Sequence, residues 1–371
     1  MMLLPDIAAV LMSLYVGLML LYRYGWNMQE EFIVPVGYIP KTKISIIIPA
    51  RNEEDNIGGC LDAILKQDYP KELLEVIVVD DHSTDNTVAV VAAYLHAKCI
   101  KLAEYSFDKT VAYKKKALSI GIANSNGELI VTTDADCYMH CNWLKNIAAQ
   151  YEKDNSVMIV APVDFTCNNS LVEVFQSLDF MSMQGITVAS HKLGLGNMSN
   201  GANLAFTRKA YYAVDGYNGI DHLASGDDYL LMMKLKKNYP TQISYLKTRE
   251  AIVHTLPQST WGNFLQQRIR WASKSGKYND SRLTWILLLV YLVNLSLFLL
   301  AVTGSWIPVL ELLITKTIFE LFYLYPVAGF FNKRKQLLVF PFLQPLHVIY
   351  IVSAGLLGFI GVYKWKGRVV R

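Results

Sequence analysis

Charge is scarce in this 371-residue chain: Asp, Glu, Lys and Arg make up 18% of it, against 53% hydrophobic residues. With a mean hydropathy of +0.25, that scarcity excludes a disordered, collagen-like or ordinary soluble chain. Cysteine is scarce too. The five, Cys60, Cys99, Cys137, Cys141 and Cys167, are odd in number and irregularly spaced, which excludes a disulfide-stapled scaffold and fits reduced thiols facing a cytosol. Around Cys137, His140 and Cys141 a CxxC spacing and a fourth ligand are missing, so a buried thiol pair near a helix start is expected there, not zinc. Gly194-Leu195-Gly196 lacks the preceding strand that a dinucleotide loop needs. Lys and Arg total 35 against 31 Asp and Glu, and the well-mixed +4 balance offers no nucleic-acid surface.

The hydrophobic residues are not spread evenly. The stretch from Ile7 to Tyr22 is uncharged, and with Met1 to Asp6 it reaches the roughly 20 residues that cross a bilayer core. A cation, Arg23, follows it where a signal peptide would carry small residues, so residues 1–24 are expected to form a retained anchor. Arg23, Lys41 and Lys43 place the following domain in the cytoplasm by the positive-inside rule, beyond a linker at 25–42. Three further apolar stretches run from Trp285 to Val302, Ile307 to Phe331 and Leu337 to Tyr363. The second carries Glu311, Lys316 and Glu320, which are costly in lipid, and the third Pro341 and Pro345. Two to three crossings are therefore expected in 284–363, before a basic tail at 364–371, and one of the last two segments could instead lie flat on the surface. The chain is expected to be a multi-pass protein of the cell (plasma or inner) membrane.

Between Lys43 and Arg282 the pattern changes. Ile44 to Ala50, Glu75 to Asp81 and Glu128 to Thr133 are short β-branched runs separated by helical patterns such as Asn56 to Lys66. Strand and helix in alternation imply an α/β domain with a mostly parallel sheet, and unbroken apolar strands imply burial on both faces. Ligands of such sheets bind beyond the carboxyl ends of the strands. All three runs end in polar groups: Arg51-Asn52-Glu53-Glu54, Asp80-Asp81-His82-Ser83 and Asp134-Ala135-Asp136. Two carboxylates one residue apart at a strand end can hold a hard divalent cation, which completes its shell with water and substrate phosphate; they can equally form a turn that caps the next helix. For Asp80 and Asp81 the cap is the stronger rival, because Ser83, Thr84 and Asp85 are also turn formers.

Together these motifs resemble glycosyltransferase family 2. The matching residues are Ile47 to Glu54, Val79 to Asp85, Asp134-Ala135-Asp136, Gly226-Asp227-Asp228 and the QxxRW of Gln267-Arg268-Ile269-Arg270-Trp271, in the family's order. The resemblance covers residues 43–282 and implies a GT-A fold, Rossmann-like, with its catalytic domain at 43–255 and the QxxRW on an interfacial segment at 256–283. It also implies roles. Ala50, Asn52, Glu53, Asp80 and Asp81 would cradle the nucleoside of a nucleotide-sugar donor, most commonly uridine. Lys114 would lie near the nucleotide, although two extra lysines depart from the family pattern and a solvated basic helix start is an equal reading. Asp134 and Asp136 would hold Mg²⁺ or Mn²⁺ on the diphosphate. Asp228, with Asp227 before it, would be the general base of an inverting transfer; at a helix start either acid could merely offset the helix dipole. Asn200 to Phe206 resembles the family's segment near donor and acceptor, or is a glycine turn before a strand.

Gln267, Arg270 and Trp271 would serve the donor. Arg270 could clamp diphosphate oxygens, and Trp271 offers a face to a sugar. Trp261, Phe264, Leu265, Arg268, Trp271, Lys274 and Lys277 also have the composition of an interfacial helix on a membrane bilayer. Few crossings favour single transfer to a lipid-linked acceptor, as in ceramide glucosyltransferase-like enzymes. QxxRW also marks processive polysaccharide synthases of the cellulose and poly-N-acetylglucosamine kind. A non-catalytic nucleotide-binding membrane protein is the rival from another class.

Overall fold

The computed structural model describes residues 4–105, 112–168, 170–196, 198–223, 225–273, 280–360, 363–365 and 368–370. Lys274 and Lys277 of the expected interfacial helix, and residues 366, 367 and 371 of the tail, lie outside them. In chain order the elements are α1 (Leu4–Met28), β1 (Ile44–Ala50), α2 (Ile57–Leu65), β2 (Leu74–Asp80), α3 (Thr87–Ala92), β3 (Ala97–Lys101), α4 (Tyr113–Ala123), β4 (Leu129–Thr132), β5 (Tyr138–Met139), α5 (Trp143–Asp154), β6 (Met158–Val160) and β7 (Val163–Phe165). They continue with α6 (Leu171–Leu193), β8 (Leu204–Thr207), α7 (Arg208–Ala213), α8 (Asp227–Asn238), β9 (Ile243–Tyr245), β10 (Val253–Thr255), α9 (Trp261–Ala272), α10 (Ser281–Val302), α11 (Trp306–Phe330), α12 (Phe340–Ile360), β11 (Tyr363–Trp365) and β12 (Arg368–Val370). They fall into two compact units: Glu30–Thr166 with Met198–Leu256, and Met1–Gln29, Cys167–Asn197 and Pro257–Arg371.

The first is an α/β unit around a sheet of order β3-β2-β1-β4-β8-β6-β9. Strands β3, β2, β1 and β4 run parallel; β8 is antiparallel to both neighbours, and β9 is parallel to β6. Ile44, Ile46, Ile47 and Ile48 of β1 are fully buried, as a central strand covered on both faces requires. Pro49 has no N–H to donate, and it stands where none is needed: β4 pairs with β1 only from Ile44 to Ile47, while the β2 pairing continues to Ala50 opposite Asp80. The sheet therefore parts between β1 and β4 at their carboxyl ends. Chain order reverses at the same place, since β2 lies on one side of β1 and β4 on the other, which is where α/β sheets bind ligands. A smaller sheet, β5-β10-β7, brings Thr255 beside the segment after β4.

The second unit is helical apart from the β11–β12 hairpin. Three of its helices are long and apolar enough to cross a membrane: Leu4–Met28, Ser281–Val302 and Phe340–Gly358. Of the two to three C-terminal crossings expected, two thus meet the requirement; α11, which carries Glu311, Lys316 and Glu320, is not among them. Lys316 and Glu320 are paired inside the unit. Lys316 Nζ lies 2.8 Å from Glu320 Oε1 and donates to Gln344 Oε1 at 2.7 Å, while Gln344 and the Tyr15 hydroxyl also bond Glu320. Helices α1, α11 and α12 are joined by this cluster, and Tyr22 and Trp26 of α1 pack on Tyr323 and Phe330 of α11.

Helix α6 is the departure from the expected organisation. The catalytic domain is expected at 43–255, whereas Cys167–Asn197 groups by contact with the helical unit. The reason lies in its side chains: Gln176 Nε2 donates to the Gln258 carbonyl, Asp179 pairs with Arg268, and the Tyr323 hydroxyl donates to the Ser182 carbonyl.

Candidate active site

The loops after β1 and β2 are laced to each other. Asn52 takes a left-handed backbone (φ 51°), which asparagine tolerates better than most residues, and its N–H donates to Ser83 Oγ while its side-chain oxygen accepts from Thr84 N–H at 2.8 Å. Glu53 N–H donates to Thr87 Oγ1, and Asn56 Nδ2 donates to Glu53 Oε2. Ala50, Asp80 and Asp81 are buried at the strand ends. The Asp80 carboxylate accepts from Ser83 N–H, the turn-closing contact allowed for in the sequence, whereas Asp81 faces the Arg51 guanidinium at 3.9 Å and His82 Nδ1 at 3.0 Å. Asp80 thus closes the turn after β2, while Asn52, Glu53 and Asp81 stand together beyond the carboxyl ends of β1 and β2.

Beyond β4 the acids converge on a lysine. Lys114, in the first turn of α4, lies 2.7 Å from Asp134 Oδ1 and 3.5 Å from Asp227 Oδ2. Burial works against its charge, but Asp134 and Asp227 outweigh it and hold the ammonium well above the usual lysine range. Gly226, at φ +81°, turns the chain into α8, so Asp227 and Asp228 open that helix. Asp228 accepts from Gly201 N–H at 3.2 Å and from Tyr229 N–H at 2.7 Å, and Gly201 is fixed in turn by Thr132 Oγ1 of β4, which donates to its carbonyl at 2.8 Å. The segment 200–206 thus touches the acid pair and also supplies β8.

Asp134 and Asp136 suit a divalent cation on chemistry. The Asp136 carboxyl is pushed up to about 6 by burial, by Asp134 and by Glu53, with Thr255 Oγ1 donating to it at 3.0 Å in partial compensation. A dication between the two carboxylates would relieve that repulsion. Among the described residues no group of three or more His, Cys, Asp or Glu stands close enough to hold a metal ion, so such a cation would draw its remaining ligands from diphosphate and water. The thiol expectation needs correcting. Cys137 is buried, but Cys141 is exposed; the buried neighbour of Cys137 is Cys60, whose Sγ donates to the Asp134 carbonyl, and burial raises both thiols. Thr255 and Thr87 are not legible in the sequence as site residues, because only tertiary contact makes them partners of Asp136 and Glu53.

Gln267, Arg270 and Trp271 belong to the helical unit, on α9. There Arg268 departs from its expected place as an interfacial cation. It is buried, with its guanidinium 2.7 Å from Asp179 Oδ2, 4.1 Å from the centre of the Trp271 ring and 4.8 Å from that of Phe264, and it donates to Gln267 Oε1 at 3.0 Å. A helix that buries its cation and Phe264 against protein does not present them to lipid.

Residues 45–213 match the model of Glycosyl transferase family 2. The chain is 28% identical over 185 residues to glycosyltransferase AglE of Haloferax volcanii, an alignment covering 50% of this chain and 58% of that protein. It is 25% identical over 278 residues to an N-acetylglucosaminyltransferase of Rhizobium meliloti, covering 72% and 63%. Over 116 residues, 30% of this chain and 34% of the other, it is 37% identical to the dolichyl N-acetyl-alpha-D-glucosaminyl phosphate 3-beta-D-2,3-diacetamido-2,3-dideoxy-beta-D-glucuronosyltransferase of Methanococcus voltae. The chain thus spans less than two thirds of each of these relatives. Its structure is similar to that of a mannosyltransferase from Pyrobaculum calidifontis in complex with GDP-Man and Mn²⁺, with a TM-score of 0.62 at 20% identity over 95% of this chain and 99% of that one, a likeness of fold. Residues 45–213, with the sheet order and strand-end acids described above, therefore form a glycosyltransferase family 2 domain of GT-A fold.

Proposed function

We propose that this chain is a membrane-bound, inverting glycosyltransferase that moves a sugar from a nucleotide-diphospho-sugar, a UDP-sugar first among the candidates, to a lipid-linked acceptor. The observation that carries the reading is the Lys114 ammonium set between Asp134 and Asp227, which brings the strand-end acids and the acids of α8 to one place. Asn52, Glu53 and Asp81 would receive the nucleoside, and Asp134 and Asp136 would hold Mg²⁺ or Mn²⁺. The cation, when bound, neutralises charge on the departing diphosphate.

Asp228 is the base in this reading. Two backbone amides orient its carboxylate, which must come within about 2.6–3.2 Å of the acceptor hydroxyl. As that oxygen attacks the anomeric carbon, Asp228 takes its proton and the bond from the carbon to the diphosphate oxygen breaks, so that the nucleoside diphosphate leaves with the electron pair and the centre inverts. A lipid acceptor is supported by three membrane-length apolar helices on the same polypeptide and by the dolichyl-linked substrate in the name of the Methanococcus voltae relative. The cations after α1 support a cytoplasmic catalytic unit.

Full-length protein in membranes, given labelled UDP-glucose, UDP-N-acetylglucosamine and GDP-mannose with Mn²⁺ and a lipid extract, tests this. Label should pass to lipid from one donor, and Asp228→Asn should lower the rate by about 10²–10⁴-fold while donor binding persists. Transfer unchanged in Asp228→Asn, or donor binding by the wild type without turnover of any donor, would refute it.

A further inference from the structure

We propose that Lys115 is a positioning residue for the acid pair, holding the loop before α8 by its backbone and so fixing where Asp227 and Asp228 stand; this rests on the reading of Asp228 as base. The side chain of Lys115 is 1% exposed. Its Nζ donates to three backbone carbonyls of one short loop: Ile220 at 2.8 Å, Leu223 at 2.6 Å and Ser225 at 2.9 Å. An ammonium has three hydrogens to give and pays heavily for burial unless they are placed, so a tripod on one loop is a geometry that resists displacement in every direction.

Among the described residues, the loop's other backbone hydrogen bonds are of two kinds. Its own backbone bonds are local turns, from Asn218 N–H to Asp215, from Ile220 N–H to Tyr217 and from Leu223 N–H to Ile220, and its first half is held by Lys234 Nζ on the Gly216 and Asn218 carbonyls. The second half, which leads into Gly226 and the acids, is the part that Lys115 grips. Its chain neighbours reach other walls of the same site. Tyr113 packs its ring edge-on against His82 at 6.0 Å, and Lys114 meets Asp134 and Asp227. Three consecutive residues of α4 therefore tie the loops after β2 and β4 to the start of α8, and one of the two lysines that depart from the family pattern, Lys115, gains a role.

The test uses the full-length chain in detergent and Lys115→Met, which keeps the aliphatic stem and removes the donors. Hydrogen exchange from Gly216 to Asp228 should quicken at least tenfold, with β1 and β2 unchanged. The kcat for sugar transfer should fall about 100-fold, the cost of misplacing a catalytic group by roughly 1 Å, while donor KM and the binding of UDP or GDP with Mn²⁺ stay within about threefold. Unaltered exchange in that segment overturns the proposal whether or not any donor is turned over, whereas failure of the wild type to transfer sugar defeats only the functional reading. A kcat within threefold of wild type, or nucleotide binding lost together with kcat, also overturns it, the latter because the lysine would then merely support the fold. Should Lys115→Met fail to fold, Lys115→Gln, which retains an N–H pair on a shorter stem, should give the same signs at smaller size, and wild-type exchange in that variant counts equally against the proposal.

Discussion

Asp134, just beyond β4, and Asp227, at the start of α8, share one ammonium: Lys114 Nζ lies 2.7 Å from the first and 3.5 Å from the second. Without it, both carboxylates would lose the cation they share. Lys114→Met should therefore separate two bindings that usually move together. Mn²⁺ alone should bind at least as tightly, because Asp134 loses its competing cation, whereas UDP or GDP with Mn²⁺ should bind about tenfold more weakly, the loss of about one charge-assisted hydrogen bond. Calorimetry of the two titrations checks this, and weakening of both by the same factor would refute the bridging role.

Gly201 offers a steric test of the same corner. A Cβ there would stand 3.0 Å from Asp227 Oδ2, 3.5 Å from Lys114 Nζ and 3.8 Å from Asp228 Cβ. Asp227 cannot withdraw freely, since Lys114 holds it. Gly201→Ala should thus lower kcat by about tenfold to 100-fold through displaced acids, with the unfolding temperature nearly unchanged. Wild-type kcat would mean that the acid pair tolerates the displacement and is not held to a catalytic position.

Much of this site was legible in the sequence because β1, β2 and β4 are covered on both faces. Burial forces them into unbroken apolar runs, and the polar residues that end each run must then sit on one rim. The contacts that complete the rim obey no such periodicity. Thr255 reaches Asp136 from a distant strand, and Lys115 stands in a lysine run that reads as a solvated helix face. Arg268 misled for the opposite reason: aromatics and cations alternating on α9 suggest a lipid surface, and only the packing of α6 places Asp179 opposite its guanidinium. The antiparallel insertion of β8 between β4 and β6 is likewise invisible, because a buried strand has the same apolar composition in either direction.

Asp136 carries a pH-dependent prediction for metal binding. Its carboxyl is pushed up to about 6 by burial and by Asp134 and Glu53, above the roughly 3.9 of an unfolded chain. The metal-free fold gains most from this group below about pH 4 and loses that gain as pH rises through about 6. A cation binding the ionised pair reverses the loss. Mn²⁺ at about 100 times its Kd should stabilise the protein by about 2.7 kcal/mol at pH 7.5 and far less at pH 5, where protons compete. Asp136→Asn should flatten the response at both pH values. Thermal unfolding in detergent reads it, and equal Mn²⁺ shifts at pH 5 and 7.5 in the wild type would rule it out.

The Lys316–Glu320 pair makes a prediction about the helical unit alone. Both side chains are buried, Gln344 bonds each of them, and the Tyr15 hydroxyl completes Glu320, so Lys316 and Glu320 find their partners on α1, α11 and α12. Removing one partner leaves the other charged and desolvated, which costs about 3–5 kcal/mol, while removing both with apolar residues of similar volume is close to neutral. Lys316→Met and Glu320→Leu should each lower the unfolding temperature in detergent sharply, and the double variant should recover most of the loss. That sign of coupling distinguishes a buried pair from two charges lying separately in polar headgroups. Additive losses in the double variant would mean that α11 keeps its charges in water, and the three-helix cluster would then contribute nothing to holding α1 against the C-terminal helices.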